Sequence, residues 1–221
     1  MNSMIYSGRE TIDQAAGRCF QALAAYNETV RAYQNKCREI DPLPFIQEEK
    51  ERMKAKAAEK MYQDVRGQHE TILAELDKIA LAAEGMEALL DIGEDLQNAL
   101  TVVKSLGAAM PSNLRFSLVV PFKGQKMALE ILKAAYEAGG IDAEPYFKGL
   151  IFDADSRIGS LKESAMRLAL QPGESLLTAH TFAGELESFA KAMGVELSTK
   201  YGDLVDAQGA MMEQVRAAAG L

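Results

Sequence analysis

Residues 12–40 read IDQAAGRCFQALAAYNETVRAYQNKCREI, and the spacing of their apolar residues decides the fold. Steps of four and three residues, taken alternately from Ile12 to Ile40, meet no charged residue and never change phase. A repeat of about 3.5 residues kept over this length is typical of a coiled coil or a long helical hairpin. The residues on this seam are Ile12, Ala16, Cys19, Leu23, Tyr26, Val30, Tyr33, Cys37 and Ile40. The polar residues between them, Asn27 among these, are predicted to form a solvated face.

The sequence Asp41-Pro42-Leu43-Pro44 ends this first helix, because proline lacks a backbone N–H and disfavours helix in the residue before it. A second helix is predicted to follow, since Glu48 and Glu49 suit the positive end of a helix dipole. It carries two further seam rows, which are Ala58, Val65, Ile72, Ile79 and Met86, and Tyr62, His69, Leu76, Ala83 and Leu90. The helices, at about 10–40 and 45–90, should lie antiparallel because the break is short.

The second half of the chain predicts shorter helices. Glycine becomes frequent and the strict seven-residue period ends, which is typical of a compact helical domain. An apolar row at Ile92, Leu96, Ala99, Val103, Leu106 and Met110 predicts one helix, and others are expected at about 124–138, 155–170, 174–193 and 202–218. For residues 118–120 a helical or extended linker is favoured over a strand. The predicted fold class is all-α, with a hairpin at 1–92 and a compact helical domain at 93–221.

The composition limits the classes of function. The chain has 221 residues with 24 Lys and Arg against 32 Asp and Glu, a net charge of −8, which disfavours a nucleic-acid partner. No segment has the length and hydropathy of a membrane span, and no signal peptide is recognised. Cys19 and Cys37 are expected as free thiols in a reducing cytoplasm. A cytoplasmic location, or a place in a virion, and no membrane partner are therefore expected.

Residues for catalysis are scarce, with two His and two Cys in the chain. We expect no catalytic, cofactor-binding or metal-binding residues, no cofactor, and no enzymatic activity. One alternative is the run Leu150–Arg157, which resembles the first motif of haloacid-dehalogenase-type phosphatases. That resemblance implies Asp153 as nucleophile and Asp155 as acid or base within a parallel sheet. The interpretation favoured here is that these carboxylates begin a helix.

Aromatic residues in the second half form a candidate contact surface. Phe122 and Phe147 each precede a Lys-Gly pair, and Tyr146 and Phe152 lie nearby in the sequence. Aromatic residues are enriched at protein interfaces. The sequence therefore offers Phe122, Tyr146, Phe147 and Phe152 as a candidate partner surface of a regulatory adaptor or peptide-binding module.

The segment from Ala25 to about Leu76 resembles small helical proteins of phage and prophage head and tail gene modules. The resemblance rests on three features: a Tyr26-Asn27-x-x-Val30 helix, the break from Ile40 to Pro44, and a charged helix that starts at Glu48-Glu49-Lys50. It implies a structural role in virion assembly and brings no active site.

The favoured hypothesis is a non-enzymatic structural or assembly protein that acts through helix–helix association, either as a homo-oligomer or with a protein partner. The association would bury apolar helix stripes, at roughly 25 cal/mol for each Å² removed from water. The candidate residues are those of the two seams, namely Ile12, Cys19, Leu23, Tyr26, Val30, Tyr33, Ile40, Tyr62, Val65, Ile72, Leu76 and Ile79.

Overall fold

The computed structural model describes residues 3–87, 93–170 and 175–205, and no residue in these ranges lies in a β-strand. The fold class is therefore all-α, as predicted. Two helices are much longer than the rest: α1 spans Ser3–Ile40 and α2 spans Gln47–Glu87. The remaining helices are α3 Glu94–Leu106, α4 Ser112–Val119, α5 Lys126–Ala138, α6 Glu144–Phe147, α7 Ala154–Leu170, α8 Ser175–Ala192 and α9 Tyr201–Leu204, with 3₁₀ turns at Gly107–Ala109 and Val120–Phe122.

The break between α1 and α2 lies where the two prolines place it. The last helical hydrogen bond of α1 runs from the N–H of Asp41 to the carbonyl of Cys37, over 3.1 Å. Pro42 follows, and because it has no N–H the helix cannot continue. Glu48 and Glu49 occupy the first turn of α2. At about 1.5 Å per residue, the 41 residues of α2 reach about 60 Å.

Contacts between the two long helices show that they run antiparallel. The Sγ of Cys19 lies 3.8 Å from the carbonyl oxygen of Ile72, and the amide of Gln68 donates to the hydroxyl of Thr29 over 2.9 Å. At the turn, the ammonium of Lys54 lies 2.5 Å from a carboxylate oxygen of Asp41. The partner on α2 moves backwards along the sequence as the position on α1 advances, which confirms the predicted hairpin.

Two compact units divide the described chain, and their borders do not follow the division at residue 92. The first unit comprises residues up to Gln14, Lys78–Ile158 and Glu187–Leu197. The second comprises Ala15–Asp77, Gly159–Leu186 and the residues from Ser198. Each unit therefore combines part of the long helices with shorter helices from later in the chain. The periodicity of a helix identifies its apolar stripe, but it does not say which later element covers that stripe.

The first unit has a core built from α3, α4, the 3₁₀ turn Val120–Phe122, α5 and α6. Tyr136 is fully buried, meets Phe147 edge to face at 5.2 Å, and donates its hydroxyl to the carbonyl of Arg115 over 2.7 Å. The row predicted for α3 is largely confirmed, because Leu96, Ala99, Val103 and Met110 are buried, whereas Leu106 is 42% exposed. Its first position, Ile92, lies outside the described residues. Residues 118–120 are helical or 3₁₀ rather than a strand.

The second unit packs the middle of the hairpin against α7, α8 and α9. The hydroxyl of Tyr26 donates to the carbonyl of Leu168 over 2.7 Å. Lys162 on α7 lies 2.6 Å from a carboxylate oxygen of Asp77, and Ser164 donates to Glu185 on α8 over 2.9 Å. Of the predicted helix at 202–218, α9 covers Tyr201–Leu204, and the positions after 205 lie outside the described residues.

Candidate functional site

The part of the hairpin nearest the turn, residues 31–64, is far less covered than the rest of the second unit. Between Arg31 and Asp64, only Ile40 and Met61 are buried. In the adjoining stretch of α1, by contrast, Cys19, Leu23 and Tyr26 are at most 1% exposed. We call residues 31–64 the hairpin tip. Most of its apolar side chains keep part of their surface in water.

An open groove of about 950 Å³ runs along the hairpin between α1 and α2. We call it the tip groove. Its apolar lining comes from both helices and consists of Ala32, Tyr33, Ile40, Met53, Ala57 and Met61. Its polar and charged lining consists of Glu28, Thr29, Lys36, Glu49, Arg52, Lys56, Lys60 and Asp64. An apolar groove bordered by charges, on a helical hairpin, is suited to receive another helix.

Charge is unevenly distributed along the tip groove. Because the helices are antiparallel, Glu28 and Asp64 lie together at the end remote from the turn. Lys36 and Lys56 lie nearer the turn, each eight residues from the acidic residue on its own helix, or about 12 Å along the axis. Within the described residues, Glu28, Lys56 and Asp64 form no ion pair, whereas Lys36 pairs with Glu39 at 2.9 Å. Arg52 and Glu49 also line the groove near the turn, so the lining has a net positive charge there and a net negative charge at the end remote from the turn.

A small polar cluster lies on the same tip. A hydrogen bond with Cys37, together with burial, raises the pKa of Tyr33, and Tyr62 lies close enough to add to this effect. Tyr62 itself is 53% exposed.

Two apolar side chains at the turn, Phe45 and Ile46, are 50% and 72% exposed. The tip thus presents aromatic and aliphatic surface outside the groove as well.

The structure places most of the predicted seam residues inside the protein. Those that are buried are Ile12, Cys19, Leu23, Tyr26, Val30, Ile40, Val65, Ile72, Leu76 and Ile79. Tyr33 is half-buried at the tip groove. Tyr62 departs from the prediction, because it is largely exposed, whereas its neighbour Met61 is buried and lines the tip groove. On a straight helix a strict seven-residue row drifts by about 20° per heptad, and Tyr62 is two heptads from Leu76.

Asn27 contradicts its predicted place on the solvated face, since it is 1% exposed. Its amide donates to the hydroxyl of Tyr201, and His180 meets the Tyr201 ring edge to face at 5.1 Å. Burial raises the pKa of Tyr201 to about 12. Asn27 and Tyr201 are 174 positions apart in the sequence, so no local pattern predicts their hydrogen bond.

The predicted aromatic partner surface does not exist as one surface. Phe122 and Phe147 belong to the core of the first unit, at 5% and 3% exposure. Tyr146 is half-buried and stacks edge-on with the exposed Phe116 at 4.8 Å. Phe152 is half-buried between Phe189 and the guanidinium of Arg157.

The carboxylates of the phosphatase-like run lie at the start of α7. The carbonyl of Asp153 accepts a hydrogen bond from the N–H of Arg157 over 3.2 Å, and Asp155 is in the first turn. Glu87 accepts a hydrogen bond from the N–H of Ala154, and burial raises the pKa of Glu87. The described residues contain no parallel sheet around this run, so the phosphatase motif lacks its structural setting.

These features define an all-α protein with a long antiparallel helical hairpin and an open groove at its tip. Within the described ranges, no helix has both the length and the hydropathy to cross a bilayer, and no three His, Cys, Asp or Glu side chains are placed to hold a metal ion. In comparisons with family models, curated proteins and solved structures, no match to this chain was found.

Proposed function

We propose that this chain is a non-enzymatic structural or assembly protein whose copies associate through the hairpin tip. The observation that carries the proposal is the incomplete burial of residues 31–64, where only Ile40 and Met61 are buried although both helices contribute apolar residues. Two helices alone cannot hide a stripe of this width, and a further helical layer would remove it from water. The resemblance to phage head and tail proteins supports the same role. It makes the virion a second proposed location, besides the cytoplasm.

The alternative, a peptide-binding adaptor that uses aromatic residues of the second half, has less support. Its surface would need Phe122 and Phe147, and both belong to the core of the first unit. The tip groove combines apolar lining, open access and flanking charges in one place. Association through helices of the hairpin is therefore the better-supported function.

A pair of alanines on α2 allows a matched test. Ala57 lines the tip groove, whereas Ala55 is exposed two residues away and does not line it. We expect Ala57→Glu to shift the purified chain towards monomer, because a carboxylate would be placed in the apolar part of the association surface. Ala55→Glu, with the same change of charge and the same helix, should leave the assembly unchanged.

Sedimentation velocity and multi-angle light scattering over a range of concentrations measure the outcome, and circular dichroism checks that both variants remain folded. A wild-type chain that stays monomeric throughout contradicts the proposal. So does an oligomer that Ala57→Glu leaves intact, since association would then use a different surface.

A further inference from the structure

We propose that the tip groove is completed by the groove of a second copy, related by a two-fold axis perpendicular to the hairpin. In this arrangement α1 lies antiparallel to α1 of the other copy, and α2 lies antiparallel to α2. The result is a four-helix closed dimer rather than an open polymer. This inference rests on the proposed function, because it names the partner and the geometry of the same surface.

Charge complementarity selects this arrangement. Antiparallel docking centred on Ala32 sets Glu28 of each copy opposite Lys36 of the other. On α2 the same docking is centred near Lys60, and it sets Asp64 of each copy opposite Lys56 of the other. Parallel docking of the grooves would instead bring acidic end to acidic end and basic end to basic end, and like charges that face each other oppose association. Of the two orientations, only the antiparallel one sets the acidic end of each groove against the basic end of the other.

The two centres lie at one level of the hairpin, as a single axis requires. Cys19 contacts Ile72 and Thr29 contacts Gln68, which places Ala32 level with residues about 59 to 65 of α2. Lys60 lies within that interval. An interface in which the same patch meets itself is isologous and closes at two copies.

The centre of the proposed interface also meets the steric requirement. Ala32 is exposed, lines the groove and has the smallest side chain that a helix readily accepts, so two copies of α1 can approach closely there. Lys60 lies near the axis on the other helix. Its long stem allows the ammonium group to extend towards the rim and remain in water.

Site-directed crosslinking tests the orientation. In a Cys37→Ser background, Ala32→Cys places a thiol on the axis, where it meets its own copy. We expect mild oxidation with copper phenanthroline to produce a disulfide-linked dimer, since a disulfide needs Cα atoms about 4.4 to 6.8 Å apart. Asn35→Cys, exposed on the same helix and outside the groove lining, is the matched control and should remain monomeric on a non-reducing gel.

A charge exchange on α2 tests the pairing. Asp64→Lys and Lys56→Asp should each weaken dimerisation about tenfold, because two ion pairs per dimer become like-charge contacts. The double variant should return to within about threefold of wild type. Sedimentation equilibrium measures the dissociation constants.

The outcomes separate this inference from the proposed function. Suppose that Ala57→Glu abolishes assembly, but Ala32→Cys forms no crosslink and the double variant does not recover dimerisation. The association surface would then stand, and the antiparallel dimer would be overturned. Assembly that does not respond to Ala57→Glu overturns both.

Discussion

The Nε of Arg18 lies 2.8 Å from a carboxylate oxygen of Glu75, and this ion pair joins the two long helices within the second unit. The partners differ in environment, because the side chain of Arg18 is 44% exposed whereas that of Glu75 is 7% exposed. The carboxylate has lost most of its water, and the guanidinium has kept much of its own. Removing one partner or the other should therefore have unequal consequences.

We expect Arg18→Met to lower the free energy of unfolding by about 1–3 kcal/mol, because it leaves a buried carboxylate without this cation. Glu75→Gln should cost less, since the remaining guanidinium can be hydrated. Urea denaturation followed by circular dichroism measures both. Arg66→Met, which breaks an ion pair with Glu70 at 81% and 63% exposure, is the control and should change stability by less than about 1 kcal/mol. Equal effects of Arg18→Met and Arg66→Met would contradict the prediction.

Two glycines should respond oppositely to alanine. Gly67 lies inside α2, and a Cβ there meets no atom within 4 Å, so Gly67→Ala should stabilise the protein by about 0.5–1 kcal/mol. Gly124 has a φ of +82°, and a Cβ there would lie 2.7 Å from the carbonyl oxygen of Met193. Gly124→Ala should therefore lower the melting temperature. Differential scanning fluorimetry compares them, and a shift of the same sign in both would be inconsistent with this geometry.

His69 predicts a dependence of stability on pH. Burial lowers the pKa of His69 below its ordinary value of 6.5, and the nearby carboxylate of Glu70 only partly opposes this. Below pH 6.5 the unfolded chain therefore binds more protons than the folded one, and the free energy of unfolding should fall as the pH falls through 6.5. Above that pH the contribution is constant.

Denaturation midpoints between about pH 5 and 8 measure this effect, a range that lies above the usual titration of carboxylates. His69→Gln should flatten the curve in that range. An unchanged slope in His69→Gln would assign the pH dependence to another group.

Lys60 is expected to weaken the dimer proposed above, because the Lys60 residues of both copies lie near the axis and their ammonium groups, although hydrated at the rim, repel each other. Lys60→Ala should tighten dimerisation several-fold, and the difference should shrink at high salt as the repulsion is screened. Lys50→Ala is a suitable comparison, since Lys50 lies on the same helix outside the groove lining and donates to the carbonyl of Asp41 at the turn. Sedimentation equilibrium at two salt concentrations measures the dissociation constants of both variants. Weaker dimerisation in Lys60→Ala would count against the antiparallel arrangement.

Because Leu23 and Ile72 are buried, a charged substitution at either position would test folding rather than association. Leu23 and Ile72 are among the seam residues proposed for association, but they are 0% and 1% exposed within a single chain. Leu23→Glu or Ile72→Glu would therefore unfold the hairpin. Surface positions at the tip, such as Ala57, separate association from folding.

Much of the hairpin could be predicted from the sequence. The seam from Ile12 to Ile40 set the first helix, and the prolines at 42 and 44 set its end, because helical period and proline geometry are local properties. The structure extends α1 back to Ser3, where no strict repeat signals the helix. The candidate site was only partly predictable, since Tyr33 and Ile40 were recognised as apolar while the groove between the helices was not.

The sequence by itself determined that this protein is helical, that its first two helices are long, and that they turn back at the prolines. Tertiary structure alone decided that Asn27 is buried against Tyr201, that Phe122 and Phe147 enter a core, and that the stripe at the tip stays open. The physical reason is that periodicity reports which face of a helix avoids water. Whether that face is covered depends on where distant segments pack.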